Sequence, residues 1–214
     1  MKVLVAGANG QIGRLLIEML KTGGKHTPIA MVRKPEQAER YRASGVESII
    51  ADLEASVDEL AAAVRGCDAL VFTAGSGAKT GYDKTLLIDL DGAVKLIEAA
   101  EQADVRRFVM VSALGAEQRE RWHESIRPYY VAKHYADRLL TASKLDYTIL
   151  RPGGLTDEPG TGMISIEPAT AGGTIPREDV AGVIAAVLEA PATYRQAYDL
   201  LSGKQSIGDA IAAI

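Results

Sequence analysis

The sequence predicts an α/β protein built on a doubly wound parallel sheet with helices on both faces. Short apolar runs alternate with runs of helical periodicity through most of the chain. The first apolar run leads directly into regularly spaced glycines. No repeat or low-complexity tract breaks the pattern, and 214 residues are enough for one domain with a sizeable core. We also expect a small C-terminal lobe after the sixth strand.

The N-terminal stretch combines a strand, a glycine turn and a helix. Residues 3–6 are apolar, and glycines then follow in the pattern G-x-x-G-x-x-G. Gly7 permits a sharp turn, Gly10 lets a pyrophosphate approach the backbone, and Gly13 allows the helix to pack closely on the strand. The helix N-terminus offers unpaired N–H groups to phosphates. The stretch predicts a dinucleotide site on a Rossmann-like fold; the alternative is an ordinary strand–turn–helix corner without a ligand.

The remaining elements are expected in the same alternation. Strands are predicted at 28–32, 46–51, 69–73, 105–112, 147–150 and 198–201. Helices are predicted at 35–43, 57–64, 84–103, 128–143, 179–188 and 207–214. The buried face of the helix at 84–103 is expected to carry Leu87, Leu90, Val94, Ile97 and Ala100. A polar, glycine-rich loop is expected at 75–83.

The domain organisation is expected to be a single unit over residues 1–214. Residues 152–176 are rich in glycine and proline and predict loops. We assign 151–176 to a loop-rich segment on the substrate side. Residues 177–214 would then supply the C-terminal helices and strand.

Bulk composition argues against several classes of partner. The net charge of −4 gives no reason to expect nucleic acid or an anionic membrane. No apolar stretch approaches the roughly 20 residues that span a bilayer, and the single cysteine, Cys67, permits no intrachain disulfide. We expect a cytoplasmic protein with a small-molecule substrate. The sequence is compatible with both a monomer and a homodimer. An apolar stripe on the helices at 84–103 and 128–143 that faces a second subunit has the same sequence pattern as one that faces the core.

Two basic residues occupy the position that distinguishes NAD from NADP in folds of this type. In NAD-binding folds of this type an acidic residue about 20 positions past the glycines holds the ribose hydroxyls. Counting from Gly13 leads to Arg33 and Lys34 and to no carboxylate. An arginine can bind a 2′-phosphate through a bidentate fork. We therefore expect NADP(H) in preference to NAD(H), the alternative being a solvated basic pair.

A tyrosine and a lysine follow the predicted fifth strand in the pattern Y-x-x-x-K. Tyr129 and Lys133 lie four residues apart and would share one helix face. A nearby ammonium favours the phenolate, so Lys133 is expected to lower the pKa of Tyr129 and make it an acid/base. Ser112 ends the strand and would point into the crevice of the sheet. Tyr130 competes for the tyrosine position, but His134 follows it at that spacing.

Together these motifs resemble those of short-chain dehydrogenases/reductases, of the atypical kind with an extended-type glycine motif. The matching residues are Gly7-Ala8-Asn9-Gly10-Gln11-Ile12-Gly13, Asp52-Leu53, Thr73-Ala74-Gly75, Ser112, Tyr129-Tyr130-Val131-Ala132-Lys133 and Arg151-Pro152-Gly153. They cover about residues 1 to 155 in the right order. The whole length is similar to small bacterial proteins labelled NAD(P)-dependent epimerases, dehydratases or oxidoreductases.

The resemblance implies roles for these residues. The glycine motif, including Asn9, Gln11 and Ile12, would bind the cofactor. Thr73, Ala74 and Gly75 would pass along it, and Asp52 and Leu53 would lie by the adenine. Tyr129 would be the acid/base, and Lys133 would hold the nicotinamide ribose. Pro152 and Gly153 would line the nicotinamide.

One position departs from the family pattern. Members with a full catalytic tetrad carry an asparagine in the helix after the fourth strand, where this chain has Asp89. A carboxylate there could pair with Lys133 and alter the proton relay and the pKa of Tyr129. Asp89 is therefore a candidate catalytic residue; the alternative is a simple surface or helix residue.

Three functions are compatible with these features. The first is a hydride-transferring oxidoreductase for a small carbonyl or alcohol, since the section after the sixth strand is short for a sugar-nucleotide substrate. The second is a non-catalytic NADP(H) sensor similar to the NmrA-like regulators. The third is an enzyme similar to flavin and biliverdin reductases, which needs no catalytic tyrosine.

Several other residues receive weaker expectations. His26, His123 and His134 lack the spacing of a metal site and are expected to be structural or exposed. The charged loop at 117–124 is expected to be solvated, or alternatively a lid. Lys79 and Tyr82 are possible substrate contacts.

Overall fold

Strands and helices alternate along the chain in a computed structural model that describes residues 1–77, 80–169 and 171–214. The strands are β1 (Lys2–Ala6), β2 (Thr27–Val32), β3 (Glu47–Ile50), β4 (Ala69–Phe72), β5 (Arg107–Val111), β6 (Asp146–Pro152), β7 (Gly154–Thr156), β8 (Met163–Ser165), β9 (Thr174–Pro176), β10 (Gln196–Ser202) and β11 (Gln205–Ser206). The α-helices are α1 (Gln11–Gly23), α2 (Pro35–Ala43), α3 (Val57–Val64), α4 (Tyr82–Lys84), α5 (Ala93–Gln102), α6 (Arg127–Ala142), α7 (Arg177–Val187) and α8 (Ile207–Ala212). A π-helical segment, Thr85–Gly92, joins α4 to α5, and 3₁₀ turns lie at Arg119–Arg121, Glu124–Ile126 and Pro191–Thr193.

The main sheet comprises nine strands within the described residues, in the order β11-β8-β10-β6-β5-β4-β1-β2-β3. The strands from β3 across to β10 pair in parallel, whereas β8 pairs antiparallel with β10 and β11. The chain winds outward from β1 in both directions, so the crevice at the carboxyl ends of β1 and β4 is the expected ligand position. The predicted doubly wound Rossmann-like sheet is confirmed.

The core has one layer on each face of the sheet because successive strand residues point to opposite faces. Val3 and Val5 of β1 belong to a cluster that includes the apolar faces of α1 and α7. Leu4 and Ala6 belong to the opposite cluster, which includes residues of α3, α5 and α6. All four side chains are fully buried. Burial on both faces explains why the parallel strands appear as continuous apolar runs in the sequence.

The helix expected at 84–103 differs from its prediction in its buried face. Leu87 is 39% exposed, and the buried positions of the π-helical segment include Ile88 and Asp89. Since i→i+5 hydrogen bonding widens the turn, the α-helical spacing cannot be extended backward from Ile97 through this segment. The predicted face is therefore correct at Ile97 and Ala100 and wrong at Leu87.

The segment interpreted as loops, residues 152–176, contains three short strands. β7 and β9 pair with each other in parallel, and β8 pairs with β10 of the main sheet. Strands of three residues among glycines and prolines are too short to show an alternating apolar pattern. The loop prediction is wrong at these strands, which form through pairing with distant parts of the chain. The other elements differ from prediction mainly at their ends; β6, for example, extends to Asp146–Pro152.

Candidate active site

The glycine turn places β1 and α1 in close contact at the carboxyl edge of the sheet. Gly7 has φ +90°, and a Cβ there would lie 2.5 Å from the backbone N of Ala74. A Cβ on Gly13 would collide with the carbonyl oxygen of Gly7. Gly10 is the N-cap of α1 and donates its N–H to Gly7 O at 2.9 Å. The turn therefore requires small residues at these positions and directs the N-terminus of α1 toward the crevice.

A first cavity, of about 310 Å³, begins at this turn. Of the predicted cofactor residues, eight line it: Gly7, Asn9, Gly10, Arg33, Leu53, Thr73, Ala74 and Gly75. Lys34 lies outside its lining; it is the N-cap residue of α2 and is 3.9 Å from Glu36. Asp52 also lies outside, and its carboxylate accepts the N–H of Glu54 at 3.0 Å. The structure thus brings Arg33, but not Lys34 or Asp52, to this cavity.

A second cavity, of about 710 Å³, continues from the first and shares the chain at 73–76 with it. Seven further predicted residues line it: Gln11, Ile12, Asp89, Ser112, Tyr129 and Lys133, together with Tyr82. Pro152 and Gly153 do not line it. A Cβ on Gly153 would clash with the carbonyl oxygen of Gly173 and lie 2.5 Å from Cδ2 of Leu201, so this glycine allows the chain between β6 and β7 to pack closely on both residues.

Lys133 and Asp89 form a buried ion pair in the second cavity. Lys133 Nζ lies 3.4 Å from Asp89 Oδ1, and the side chains are 4% and 1% exposed. Lys133 Nζ also donates to Val111 O at 3.2 Å and lies 5.7 Å from the centroid of the Tyr129 ring. Asp89 Oδ2 accepts the N–H of Ser76 at 3.0 Å. Asp89 is thus not at the surface, and the surface alternative is wrong, although the residue does lie in a helical segment.

The electrostatic balance keeps both members of the Y-x-x-x-K pair protonated. Burial raises the pKa of Tyr129, and although Lys133 lowers it, burial together with Asp89 outweighs that effect. Burial lowers the pKa of Lys133. The charges of Asp89 and of an ionised Tyr129 raise this pKa by more than burial lowers it, so the net pKa lies above the ordinary value. The expected lowering of the Tyr129 pKa is therefore opposed in this structure by a larger desolvation effect. The site holds a neutral phenol beside an ammonium.

Ser112 follows β5 directly and is fixed by its backbone. Its N–H donates to Leu150 O at 2.7 Å, and the residue is 3% exposed. Within the described part of the chain, the Ser112 hydroxyl oxygen has no hydrogen-bond partner. Buried hydroxyls are normally paired, so this one is available to a ligand in the second cavity.

The loops around the cavity are held by contacts of a few side chains, although residues 119, 120, 123 and 124 are exposed. The Trp122 ring stacks on Tyr130 at 6.1 Å between centroids, and its indole N–H donates to Gly115 O at 3.2 Å. Tyr82 OH donates to Ser125 O at 2.8 Å across the cavity lining. The expectation of a solvated loop at 117–124 is wrong at Trp122. Lys79, the other possible substrate contact, lies outside the described residues.

Two lining residues, Leu155 and Arg177, come from the C-terminal part and were not predicted. Asp157 Oδ1 accepts hydrogen bonds from Gln11 Nε2 at 2.7 Å and Arg177 Nη1 at 2.8 Å, which links α1 to the start of α7. Leu155 is positioned by the pairing of β7 with β9. No local motif marks these residues, since long-range pairing brings them to the site.

Two further properties concern the described residues, 1–77, 80–169 and 171–214. They contain no group of three or more His, Cys, Asp or Glu side chains arranged to hold a metal ion. None of their helices is both long and apolar enough to cross a membrane.

The fold and the glycine-lined crevice define an NAD(P)-binding Rossmann-like protein of the atypical short-chain dehydrogenase/reductase type. The chain belongs to the NAD(P)H-binding family, whose sequence model matches residues 7–191. A Bacillus subtilis relative named as the uncharacterised sugar epimerase YhfK is 54% identical over 211 residues, covering 99% of each chain.

Solved structures agree with this assignment. A Bacillus halodurans protein, whose name provisionally assigns it to the NAD-dependent epimerases/dehydratases, is 41% identical, with a TM-score of 0.94 and full coverage of both chains. ChuY from Escherichia coli O157:H7, described as an anaerobillin reductase, is 28% identical, with a TM-score of 0.82 and coverage of 96% of this chain and 99% of that one.

Proposed function

We propose that the protein is an NADP(H)-dependent oxidoreductase that transfers hydride between the nicotinamide and a small carbonyl or alcohol substrate. One observation carries the proposal: Tyr129, Lys133 and Ser112 line a single cavity that continues into the glycine-lined cavity. This arrangement would place a dinucleotide along the crevice with one end beside a proton donor.

The residues of the first cavity fit a dinucleotide. The turn at Gly7 and Gly10 leaves room that side chains would fill, and the N-terminus of α1 favours the negative charge of a pyrophosphate. Arg33 lines the same cavity and would bind a 2′-phosphate, which favours NADP(H) over NAD(H). When bound, the cofactor supplies or accepts the hydride.

The residues of the second cavity would donate the proton to the substrate oxygen and stabilise the charge that remains. Because its pKa is raised, Tyr129 is a phenol at neutral pH and can donate a proton to a carbonyl oxygen. The Lys133 ammonium would stabilise the phenolate left behind, and Asp89 holds that ammonium in place. The Ser112 hydroxyl would donate a hydrogen bond to the same carbonyl oxygen. In this scheme Asp89, in place of an asparagine, makes Lys133 a more firmly held cation.

The size of the C-terminal segment favours a small substrate. Relatives carry sugar epimerase and epimerase/dehydratase names. Sugar-nucleotide epimerases resembling this family use a larger substrate domain. After β6, the described residues add only the short strands β7, β8, β9 and β11, the strand β10, two helices and one 3₁₀ turn. We therefore favour a small carbonyl or alcohol over a nucleotide sugar.

A second candidate function is reduction of a bound ring system, such as a flavin or a bilin. The likeness to ChuY, an anaerobillin reductase by its description, favours it. A cavity of about 710 Å³ lined by Ile12, Ile126 and Leu155 offers an apolar surface for a flat ligand. This reaction would not require Tyr129, and the two functions are therefore separable by substitution.

The test is NADPH oxidation against a panel of aldehydes, ketones, quinones, flavins and bilins. Tyr129→Phe should lower kcat by about 10²- to 10⁴-fold because the proton donor is lost. Its affinity for NADPH, measured by fluorescence titration, should be unchanged. Tyr130→Phe is the matched control, since it removes a neighbouring hydroxyl and keeps the ring that stacks on Trp122.

The outcomes separate the candidates. Full flavin or bilin reduction by Tyr129→Phe would assign the second function and remove the proposed role of Tyr129. Tight NADPH binding with no turnover of any compound by the wild type would contradict both enzymatic functions and favour a cofactor-dependent regulator.

A further inference from the structure

An arginine from the C-terminal part of the chain lines the proposed active site, and the proposed chemistry does not use it. Arg177 is the first residue of α7, and its side chain is 22% exposed. It lines the second cavity together with Tyr129 and Lys133. Among the described residues, only its Nη1 atom has a hydrogen-bond partner, Asp157 Oδ1 at 2.8 Å. The other N–H groups of the guanidinium are therefore free to bind a ligand.

The first turn of α7 also holds the segment that carries Asp157. Glu178 Oε2 accepts the N–H of Gly160 at 2.6 Å. Asp179 is 3% exposed, and its Oδ1 accepts the N–H of Gly162 at 2.7 Å. Because these bonds fix the segment against the helix, the ion pair between the aspartate and the arginine joins two parts of one fixed unit.

The same carboxylate oxygen is bound by the first residue of α1. Gln11 begins α1, and its Nε2 donates to Asp157 Oδ1 at 2.7 Å. Gln11 Nε2 and Arg177 Nη1 thus share one acceptor atom, which brings the guanidinium beside the N-terminus of α1. The proposed function places the pyrophosphate of the cofactor at this helix N-terminus. Arg177 is therefore in the neighbourhood expected for the pyrophosphate.

The charges of the second cavity favour an anion beside this arginine. The charged residues of the described lining are Asp89, Lys133 and Arg177, and Asp89 is already paired with Lys133 at 3.4 Å. Asp157 lies outside the lining and its side chain is 71% exposed, so water screens its attraction for the guanidinium. The lining thus carries a surplus positive charge at Arg177 that an anionic ligand would neutralise.

We propose that Arg177 binds the pyrophosphate of the dinucleotide and that Asp157 is a positioning residue that directs the guanidinium of Arg177. A guanidinium donates bidentate hydrogen bonds to phosphate oxygens and offsets part of their negative charge. The glycine turn would bind the pyrophosphate from one side through backbone N–H groups, and Arg177 adds a contact from the C-terminal part of the chain. This inference rests on the proposed function for the identity of the cofactor and for its place at α1.

The first experiment compares ligands with and without a pyrophosphate by isothermal titration calorimetry. NADPH and 2′-phospho-ADP-ribose contain this group, whereas 2′-AMP lacks it and should occupy only the first cavity. Arg177→Gln should weaken NADPH and 2′-phospho-ADP-ribose about 10- to 100-fold, because charge-assisted hydrogen bonds are lost. Binding of 2′-AMP should stay within about twofold of wild type, which also shows that the variant is folded. Unchanged binding of 2′-phospho-ADP-ribose, or an equal loss for all three ligands, would overturn the proposal.

Arg106→Gln is the matched control for this substitution. Arg106 also pairs with an aspartate, Asp146 at 3.3 Å, but it lies outside both cavities. The variant should bind all three ligands as the wild type does, and a loss equal to that of Arg177→Gln would overturn the proposal. Arg177→Lys retains the charge without the planar fork and should recover part of the lost affinity.

The positioning role of Asp157 is tested by a double-mutant cycle. Asp157→Ala should weaken 2′-phospho-ADP-ribose by less than Arg177→Gln does, because the arginine remains but is no longer directed. In the Arg177→Gln background the same substitution should have no further effect, since both changes act on one contact. Additive losses, or tighter binding by Asp157→Ala, would overturn the positioning role.

A kinetic experiment distinguishes the cofactor from the substrate as the source of the anion. At saturating NADPH, Arg177→Gln should keep the wild-type KM for neutral and for carboxylate-bearing carbonyl compounds. A raised KM for the carboxylates alone, with unchanged affinity for 2′-phospho-ADP-ribose, would overturn the proposal and assign Arg177 to the substrate. NADPH binding without any turnover in the wild type would contradict the oxidoreductase function, whereas the titrations would still test Arg177.

Discussion

Lys133 and Tyr129 keep their protons for different reasons. Tyr129 is buried and loses the solvation that a phenolate needs. Lys133 is also buried, but Asp89 at 3.4 Å favours its charged form, and Tyr129 does so as well once it becomes a phenolate. The pair therefore presents one transferable proton and one fixed positive charge, which suits proton donation to a carbonyl oxygen better than proton removal from an alcohol.

Arg33 is the residue on which we expect the choice of dinucleotide to depend. Arg33→Ala should weaken NADPH binding about 10- to 100-fold, because a charge-assisted bidentate contact is lost. NADH has no 2′-phosphate, so its affinity should hardly change. Fluorescence titration with both cofactors measures the two effects.

Lys34→Ala is the matched control for Arg33, since Lys34 is the next cation and lies outside the first cavity. Its substitution should leave NADPH affinity within about twofold of wild type, as is usual for an exposed charge. Equal losses in the two variants would show a diffuse electrostatic effect, and equal binding of NADPH and NADH by the wild type would contradict the predicted preference.

Site residues that belong to a local sequence motif could be predicted, whereas residues that long-range folding brings to the site could not. The spacing of Tyr129 and Lys133 follows from one helix, and Ser112 follows from the end of one strand. Lys34 adjoins Arg33 in sequence, but it begins α2 and lies outside the cavity. Arg177 lines the site although nothing near it in sequence suggests a role.

The contact between α1 and β1 sets the geometry of the glycine turn. Gly13→Ala would place a methyl group against the carbonyl oxygen of Gly7 and push the helix away from the strand. We expect a loss of about 1–3 kcal/mol in the free energy of unfolding, as for other overpacked sites. NADPH affinity should fall as well, because the N-terminus of α1 moves. Urea unfolding and fluorescence titration measure these effects.

Glu18→Ala is the control for the same helix, because Glu18 is exposed on α1. It should change the unfolding free energy by no more than about 0.5 kcal/mol. Wild-type stability in Gly13→Ala would mean that the turn relaxes without strain and that close packing at this glycine is unnecessary.

Elements with their own periodicity were predictable, whereas those defined by distant partners were not. The strands β1, β2 and β4 are apolar on both faces and stand out in the sequence. β7 and β9 have three residues each and exist through pairing with each other. The π-helical segment was missed because no pattern in its sequence distinguishes i→i+5 from i→i+4 hydrogen bonding, and its widened turn places Asp89 inside.

Cys67 offers a measurement of the stability of the whole fold. It is the only cysteine in the sequence, and burial raises the pKa of its thiol from 9.0 to about 11. At pH 8 the folded protein should therefore carry about 100-fold less thiolate than the unfolded chain and react correspondingly slowly with iodoacetamide. Since the folded pKa exceeds the unfolded one, stability should also decline as the pH rises from 9 toward 11.

Mass spectrometry of alkylated protein across a urea titration provides the readout for Cys67. Labelling should increase together with the loss of circular dichroism, and Cys67→Ser should remain unlabelled at every urea concentration. Rapid labelling in native buffer would instead show local opening between α3 and β4.

The two faces of the sheet use very different spans of the chain. The cluster containing α3, α5 and α6 draws its buried residues from Leu4 to Ile149. The other cluster joins Leu16 and Leu20 of α1 to Val180 and Val187 of α7. During synthesis, the face covered by α3, α5 and α6 can pack once β6 has left the ribosome. The apolar side of α1, in contrast, is fully covered only with α7, which is made more than a hundred residues later. The helix that would bind the pyrophosphate thus gains its full cover only after α7 has been made, and we expect the nascent chain to expose this side of α1 to chaperones and proteases until then.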